Sequence, residues 1–287
     1  GQMAEGGAQP ASSVLKELLQ NADDAGATEI SIVLDERIPP AFFSDKYKAL
    51  CKPAIIVRNN APFRTKTEVP QGDLDDFTAI RDVASGHKRA NTVAAGRFGI
   101  GFNSVYFLTD TPIIFSRHEV HVFDLLHRVF EDNGWIFNLS DFPADAKSSA
   151  GEIKAVLEWC FPKTALQTTS FGEIAAEGDY SQAVFRLPFR SKCEEEEYLF
   201  DEFYIQTEAR KKILKEMSDD AKRAIIFLKS VTKITFLLLD TDGSKFFSKT
   251  EISENPPEFS YVLKAVRNKE HLEQPIDFER AVVVSGD

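Results

Sequence analysis

Cysteine is scarce in this chain, and its three copies are scattered. Cys51, Cys160 and Cys193 share no CxxC or Cys/His spacing. That excludes a zinc ribbon and a dense disulfide frame, and it reads as free thiols in a reducing, cytoplasmic compartment. Long apolar runs are missing: none approaches the roughly 20 residues that cross a bilayer. Residues 1–13 lack the apolar core of a signal peptide. Basic residues are outnumbered, 34 Lys and Arg against 45 Asp and Glu, for a net charge of −11. This excludes a broad nucleic-acid or anionic-membrane surface, because phosphate binding needs clustered Lys and Arg. A local basic pocket stays open.

Several catalytic signatures are missing as well. The sequence has no Gly-x-Ser-x-Gly elbow and no Gly-Lys-Ser/Thr after a glycine loop. It shows no phospho-acceptor histidine box, which speaks against a signalling phosphotransferase. The five histidines offer only His118-x-x-His121 as a pair, and on a strand those rings would point to opposite faces.

What remains is a chain of 287 residues, 43% apolar and 28% charged, ordinary for a globular protein with a sizeable core. It reads as one large domain or two small ones. Gly1-Gln2 before Met3 reads as an expression scar, and the chain as a piece of a longer protein. The 24 Phe residues have no functional reading.

The most informative stretch is 15–28, LKELLQNADDAGAT. Glu17, Asn21 and Asp24 stand at i, i+4 and i+7, so a helix places them on one flank. Leu15, Leu18, Leu19 and Ala22 supply the apolar stripe beside them. Ser12 or Ser13 can cap the start, and Gly26 is a natural stop. Solvated helices carry acids at this spacing too, so the stretch alone leaves function open.

Strands are predicted at 30–35 and 53–58, the second ending in the turn signal Asn59-Asn60-Ala61-Pro62. Residues 37–52 read as a loop with a short helical turn. Leu74, Phe77, Ile80 and Val83 predict an amphipathic helix, and 85–95 a polar, mobile loop. Strand-like runs follow at 113–116, 120–126 and 128–131, the last joined through Asp132-Asn133-Gly134 to a strand at 135–139. Residues 144–161 read as partly helical, 164–180 as loop-rich and 183–189 as a strand. A long helix is predicted over 207–231, then strands at 234–239, 245–252, 259–266 and 281–284. The fold class is α+β, with a mixed, mostly antiparallel sheet.

Gly96-x-x-Gly99-x-Gly101 before a helical run is the second signal. Glycines let a backbone approach a ligand, and a helix start offers free N–H groups to phosphate. The order differs from the dinucleotide fingerprint GxGxxG.

Together these motifs carry a resemblance. Residues 17–25 resemble the N-box, and 96–110 the second glycine motif, of the gyrase, heat-shock protein 90, histidine kinase and MutL ATPase superfamily. KELLQNADDAGAT and GRFGIGFNSVYFLTDTP, with FRLPFR at 185–190 and FLKSVTKI at 227–234, are similar to the repeat domains of sacsin-like proteins. The resemblance implies a Bergerat-type α/β sandwich, with helices on one face of the sheet and a nucleotide pocket between helices and a lid.

By this match Glu17 would be the general base and Asn21 the Mg²⁺ ligand, while Asp24 would line the nucleotide pocket. Gly96, Gly99, Ile100, Gly101 and Phe102 would surround the phosphates. Residues 85–95 would form the lid, with Lys88 or Arg89 as phosphate partners or as solvated loop charges. Asn59 and Asn60 stand where the superfamily places an Asp that reads adenine. Ala183 stands where a later strand usually supplies a Thr. The cofactors implied are ATP and Mg²⁺. The partners implied are nucleotide and client or co-chaperone proteins, with a dimer formed through the full-length protein. The domain reading is 1–200 for the nucleotide-binding domain and 201–287 for a helix and strands that either belong to it or begin the next. Two readings stay open: an ATP-binding, chaperone-like module with slow hydrolysis, and a degenerate relative serving as a structural or client-binding domain.

Overall fold

A computed structural model describes residues 8–84, 100–141, 149–166, 170–177, 180–190, 207–252 and 282–286. In chain order the elements begin with α1 (Ala8–Asp24), β1 (Glu29–Asp35), β2 (Ala54–Asn59) and α2 (Asp76–Ala84). A 3-10 segment (Ile100–Phe107) leads into β3 (Ile113–Ser116), β4 (Glu119–Phe123) and β5 (Gly134–Asn138). Then come α3 (Ser149–Cys160), α4 (Lys163–Leu166), α5 (Phe171–Glu177) and β6 (Ala183–Pro188). The last group is α6 (Thr207–Ala224), β7 (Lys233–Asp240), β8 (Gly243–Ile252) and β9 (Val282–Gly286).

The nine strands form one sheet in the order β5-β4-β3-β6-β2-β1-β7-β8-β9. Among the described residues β1 with β7 is the one parallel pair, and every other ladder is antiparallel. The α+β class and the mostly antiparallel sheet are as the sequence predicts. The helix cover is wider than expected. On the first face Ile30, Ile32 and Leu34 of β1, with Val57, Phe185 and Phe236, pack under α1 and α6. On the second face Val33, Ile56, Phe115 and Val184 pack under α3, α4 and α5. Alternation along each strand sends successive side chains to opposite faces. The central strands are therefore buried on both sides, each Ile or Leu contributing about 1.5–3 kcal/mol. Many of the phenylalanines find their place in these two layers.

Helix α1 begins at Ala8, so Ser12 lies within it and is not its cap; its hydroxyl donates to Asp220 of α6. The end is as predicted. Gly26 has φ +78°, its N–H donates to Asp23 O at 2.9 Å, and Ala27 N–H reaches Ala22 O at 3.0 Å. This paired closure needs a left-handed residue after the helix, which glycine adopts without a Cβ clash.

Four further readings differ from expectation. Residues 128–131 are not a strand, because the Asp124 carboxylate accepts the N–H groups of Arg128, Val129 and Phe130 at 2.9, 2.7 and 2.8 Å. Nor does Asp132-Asn133-Gly134 join two strands of a hairpin. Gly134 instead opens β5 at φ +145°, where a Cβ would lie 2.1 Å from the Val122 carbonyl oxygen. The helix predicted over 207–231 stops at Ala224 and ends in a 3-10 turn, Ile225–Phe227. Residues 164–180 contain the short helices α4 and α5. The strand predicted at 259–266 lies outside the described residues.

Candidate functional site

Helix α1 is held from two sides. Toward α6, Ser12 bonds Asp220, and the Asp23 carboxylate accepts N–H groups from Lys229, Ser230 and Val231 at 2.8, 2.6 and 3.0 Å. Those three N–H groups follow the end of α6, so Asp23 fixes the turn that leads into β7. Leu15, Leu18, Leu19 and Ala22 face the core. A separate flank, about a third of a turn round the helix from Asp23, carries Glu17, Asn21 and Asp24. Glu17 is half-buried and Asn21 is buried at 8% exposure. Asp24 is exposed, with a carboxylate oxygen 4.0 Å from Lys229 Nζ.

The 3-10 segment Ile100–Phe107 packs against α1. It brings the end of the glycine motif beside the helix that bears Glu17 and Asn21, as the two motifs together suggest. Ile100 and Gly101 open this segment. Phe102 is 1% exposed, and its ring lies 6.4 Å from Phe123 and 6.3 Å from Phe185. Its side chain is core, so only its backbone could meet a ligand. Lys88, Gly96, Gly99, Arg89 and the expected lid over 85–95 lie outside the described residues.

The far end of β2 is differently built. Asn59 and Ala183 are direct cross-strand partners, and Ala183 also pairs with Ser116. The positions expected to read adenine therefore do lie side by side on the first face. The polar side chains in this row, those of Asn59 and Ser116, are engaged with the backbone. Asn59 Oδ1 accepts Ala61 N–H at 3.0 Å, closing an Asx turn. Ser116 Oγ donates to Gln182 O at 2.6 Å and accepts Phe63 N–H at 3.0 Å. Asn60 points elsewhere. Its Oδ1 accepts the N–H groups of Thr28 and Glu29 at 2.9 and 3.0 Å, and its Nδ2 donates to Thr28 Oγ1 at 2.8 Å. Above this row Phe63 packs on Phe77 and Phe185, with centroids 4.7 and 5.9 Å away.

The donor set thus fits one half of a magnesium nucleotide. The amide oxygen of Asn21 is a hard ligand of the kind Mg²⁺ takes beside phosphates and water, and the Glu17 carboxylate one turn earlier is a proton acceptor on the same flank. The other half does not fit a base read by a carboxylate. Residues 57–63 contain none, and the hydroxyl nearest Ala183 is already bonded on both sides.

The structure also gathers the two histidines of the His118-x-x-His121 pair around a carboxylate that the sequence does not single out, that of Glu119. Glu119 accepts from His121 Nε2 at 2.7 Å and lies 3.8 Å from His118 Nε2. The two rings therefore meet one carboxylate, because His118 sits in the turn before β4 and not on a strand. His121 stacks on Phe77 at 4.0 Å, and burial, ahead of the opposing pull of Glu119, holds its pKa below the ordinary value. Among the described residues no group of three His, Cys, Asp or Glu could hold a metal ion. Two clefts flank α2, one of about 380 Å³ beside Arg64 and Glu119, the other of about 600 Å³ beside His121 and Trp135. Arg81 and Ile136 line both, whereas Glu17, Asn21 and Asp24 line neither. Period-two alternation on β4, which puts Glu119, His121 and Phe123 on one face, is the signal that could have found this cluster.

A sheet covered by helices on both faces, with an amide and a carboxylate on one flank of a helix that packs on the segment Ile100–Phe107, defines an α+β domain with one polar helix flank next to its core. A family model for the sacsin domain matches residues 8–251, and the chain belongs to that family. Sacsin of Homo sapiens is 31% identical over 236 residues, which cover 81% of this chain and 5% of that protein. The chain thus spans about a twentieth of the length of this relative. The N-terminal domain of a DNA repair protein aligns over 83% of this chain and 52% of its own, at 12% identity and a TM-score of 0.36. The ATPase region of topoisomerase II from Saccharomyces cerevisiae, bound to ICRF-187 (dexrazoxane), aligns over 81% and 48%, at 11% identity and a TM-score of 0.33. At such TM-scores neither likeness carries an argument about this chain. No described helix is long and apolar enough to cross a membrane.

Proposed function

We propose that this domain is a Bergerat-type nucleotide-binding module of a sacsin-related protein. It takes ATP with Mg²⁺ and hydrolyses it slowly to drive a lid or domain rearrangement in chaperone-like work on client proteins. The observation that carries this reading is the packing of the Glu17 and Asn21 helix against the segment that continues the glycine motif. Membership of the sacsin domain family supports it. The single sheet, in which β7 pairs with β1, supports reading 207–252 as part of the same module.

Bound Mg²⁺ supplies neutralisation of charge on the phosphate oxygens. Asn21, buried at 8% exposure, would contribute one oxygen ligand. Glu17, one turn earlier and half-buried, would accept the proton of an attacking water. Asp24, exposed at the end of the same flank, would meet the ribose or base edge. The backbone of Gly101 and Phe102 would offer N–H groups to phosphate.

A specific observation favours a second reading. Ala183 and the internally bonded Ser116 and Asn59 leave the base end without a charged acceptor. A domain that has kept the fold and lost productive ATP binding, and that serves as a structural or client-binding module, fits that end better.

Calorimetry separates the two readings. ATP, ADP and a non-hydrolysable analogue are titrated with Mg²⁺ into the wild type and Asn21→Ala. The first reading expects binding by the wild type and a loss of at least about tenfold in the variant, roughly 1.4 kcal/mol. No heat at millimolar ATP, with the protein folded by circular dichroism, sinks it in favour of the second.

A further inference from the structure

The cleft of about 600 Å³ beside α2 is built around a histidine whose hydrogen bonding the fold leaves incomplete. Its floor is formed by β4 and β5. His121 and Ile136 are direct cross-strand partners, so their side chains stand side by side on the first face. Two pairs further along, Phe123 faces Gly134, which has no side chain to fill the place beside the ring. Leu125 and Trp135 extend the apolar wall, and Arg81 of α2 also lines it.

Glu119 sets the tautomer of His121. A carboxylate only accepts, so the 2.7 Å contact makes His121 Nε2 the donor. Burial, ahead of the opposing pull of Glu119, holds the pKa of the ring below the ordinary value and keeps it neutral. Nδ1 therefore carries a lone pair, and among the described residues this buried atom has no hydrogen-bond partner. The side chain is 3% exposed, and a buried acceptor left unmet is costly. The two nitrogens of an imidazole diverge. Nδ1 thus points away from Glu119 and from the smaller cleft that Glu119 lines, while the ring itself lines the larger one. The stack on Phe77 at 4.0 Å fixes the ring plane.

Arg81 supplies the charge. It is exposed, its Nη2 donates to Thr78 Oγ1 at 3.0 Å, and among the described residues it makes no ion pair. Asp132, the carboxylate of the described wall, is exposed and screened by water. One available guanidinium suits a single negative charge such as a carboxylate, whereas a phosphate dianion draws on several cations. The apolar wall is uncovered: Trp135 is 53% and Ile136 43% exposed, on a strand with one described neighbour. Aromatic walls of this kind favour a flat ring.

We propose that this cleft is a binding site for a small aromatic carboxylic acid that carries an O–H or N–H donor. The donor meets His121 Nδ1, the carboxylate pairs with Arg81, and the ring packs on Phe123 and Trp135. The site stands apart from the nucleotide reading, because Glu17, Asn21 and Asp24 do not line it.

The test is an NMR titration of the nitrogen-15-labelled full chain. The probes are 4-hydroxyphenylacetate and 3-phenyllactate, beside their hydroxyl-free counterparts phenylacetate and 3-phenylpropionate. Saturable shifts of the Trp135 indole N–H and of the His121 and Ile136 amides are expected by about 10 mM probe. The indole of Trp159, packed on the second face, should not move. At least one hydroxylated probe should bind about fivefold or more tighter than its counterpart. Arg81→Gln, an exposed change, should weaken both probes several-fold with urea unfolding unchanged. His121→Phe, which keeps a ring against Phe77, should abolish the advantage of the hydroxyl and spare the remaining binding. If His121→Phe does not fold, the counterparts and Arg81→Gln decide alone. No saturable shift with either probe overturns the proposal. So do equal affinities with and without the hydroxyl, or an unchanged affinity in folded Arg81→Gln. Displacement of a bound probe by ATP with Mg²⁺ also overturns it, since the cleft would then belong to the nucleotide site.

Discussion

Arg186 on the second face of the sheet and Glu17 on the first face are both charged, and the fold treats them differently. Arg186 is fully buried, yet each of its nitrogens is answered: Asp35 at 2.6 Å, then the carbonyls of Lys52, Leu50 and Cys160 at 3.0, 3.3 and 3.3 Å. Its guanidinium also lies over the Trp159 ring, 5.0 Å from the centroid. Glu17 is half-buried and Asp24 exposed on α1, with Lys229 Nζ 4.0 Å from the Asp24 carboxylate. A buried charge must be closed in by partners, because desolvation costs several kcal/mol per ion. A charge at the surface meets no such cost and can keep a loose partner, as Asp24 does with Lys229. The difference separates groups that build this domain from groups whose enclosure the fold does not require.

The sharpest way to break the comparison is Arg186→Met. The substitution keeps most of the volume but leaves three buried carbonyls without this donor and Asp35 with Arg37 alone. Breaking a buried pair from one side costs about 3–5 kcal/mol. The expected result is a fall of that size in urea unfolding. A loss under about 1 kcal/mol would show that the network is not structural.

Next in size is the pair of adjacent acids, Asp23 and Asp24. Asp23 accepts three backbone N–H groups; Asp24 is exposed, with Lys229 at 4.0 Å. Hydrogen bonds to a charged group are worth about 1.5–3 kcal/mol, so Asp23→Ala should cost at least about 2 kcal/mol. Asp24→Ala should stay within about 0.5 kcal/mol, as an exposed pair does. Equal losses in the two proteins would erase the distinction between the flanks of α1.

These neighbours also mark how much was legible in the sequence. The helix, its Gly26 stop and the strands β1, β2, β6, β7 and β8 follow from periodicity and turn chemistry, which are local. Asp23 and Asp24 cannot be told apart that way, since only the turn over 229–231 decides which acid is used. Residues 128–131 read as a strand because nothing local announces that Asp124 will take their N–H groups. The cover on the second face was not foreseen because α4 and α5 span only Lys163–Leu166 and Phe171–Glu177, too short for a helical period to show. In the candidate site, the motif resemblance placed Asn59 and Ala183 together, and the β2–β6 register does the same. It placed Asn60 with them, but the structure turns that amide toward Thr28.

Acid offers a gentler test of the second face. Burial raises the Asp35 carboxyl, but Arg186 and Arg37 outweigh it and hold its pKa below the ordinary value. A carboxyl depressed in the folded state contributes stability above its unfolded pKa, roughly 3.9, and loses it as pH falls through the folded value. Urea midpoints should therefore drop below about pH 4. The drop should be smaller in Arg186→Met, where the depression has lost its larger charge partner. An identical acid profile in the two proteins would place the acid sensitivity in other carboxylates.

The smallest stability effect should come from Glu17→Gln, and that is its value. Glu17 is half-buried at the edge of the α1 flank, and glutamine is nearly its equal in shape and helix propensity. The change should leave unfolding within about 0.5 kcal/mol of wild type. If the domain turns over ATP, the same change removes the proton acceptor and should cut the rate by about 10²–10⁴, with nucleotide affinity held. A folded Glu17→Gln protein that hydrolyses as fast as wild type removes Glu17 as the base. A protein destabilised by several kcal/mol would mean that this carboxylate, like that of Asp23, belongs to the scaffold.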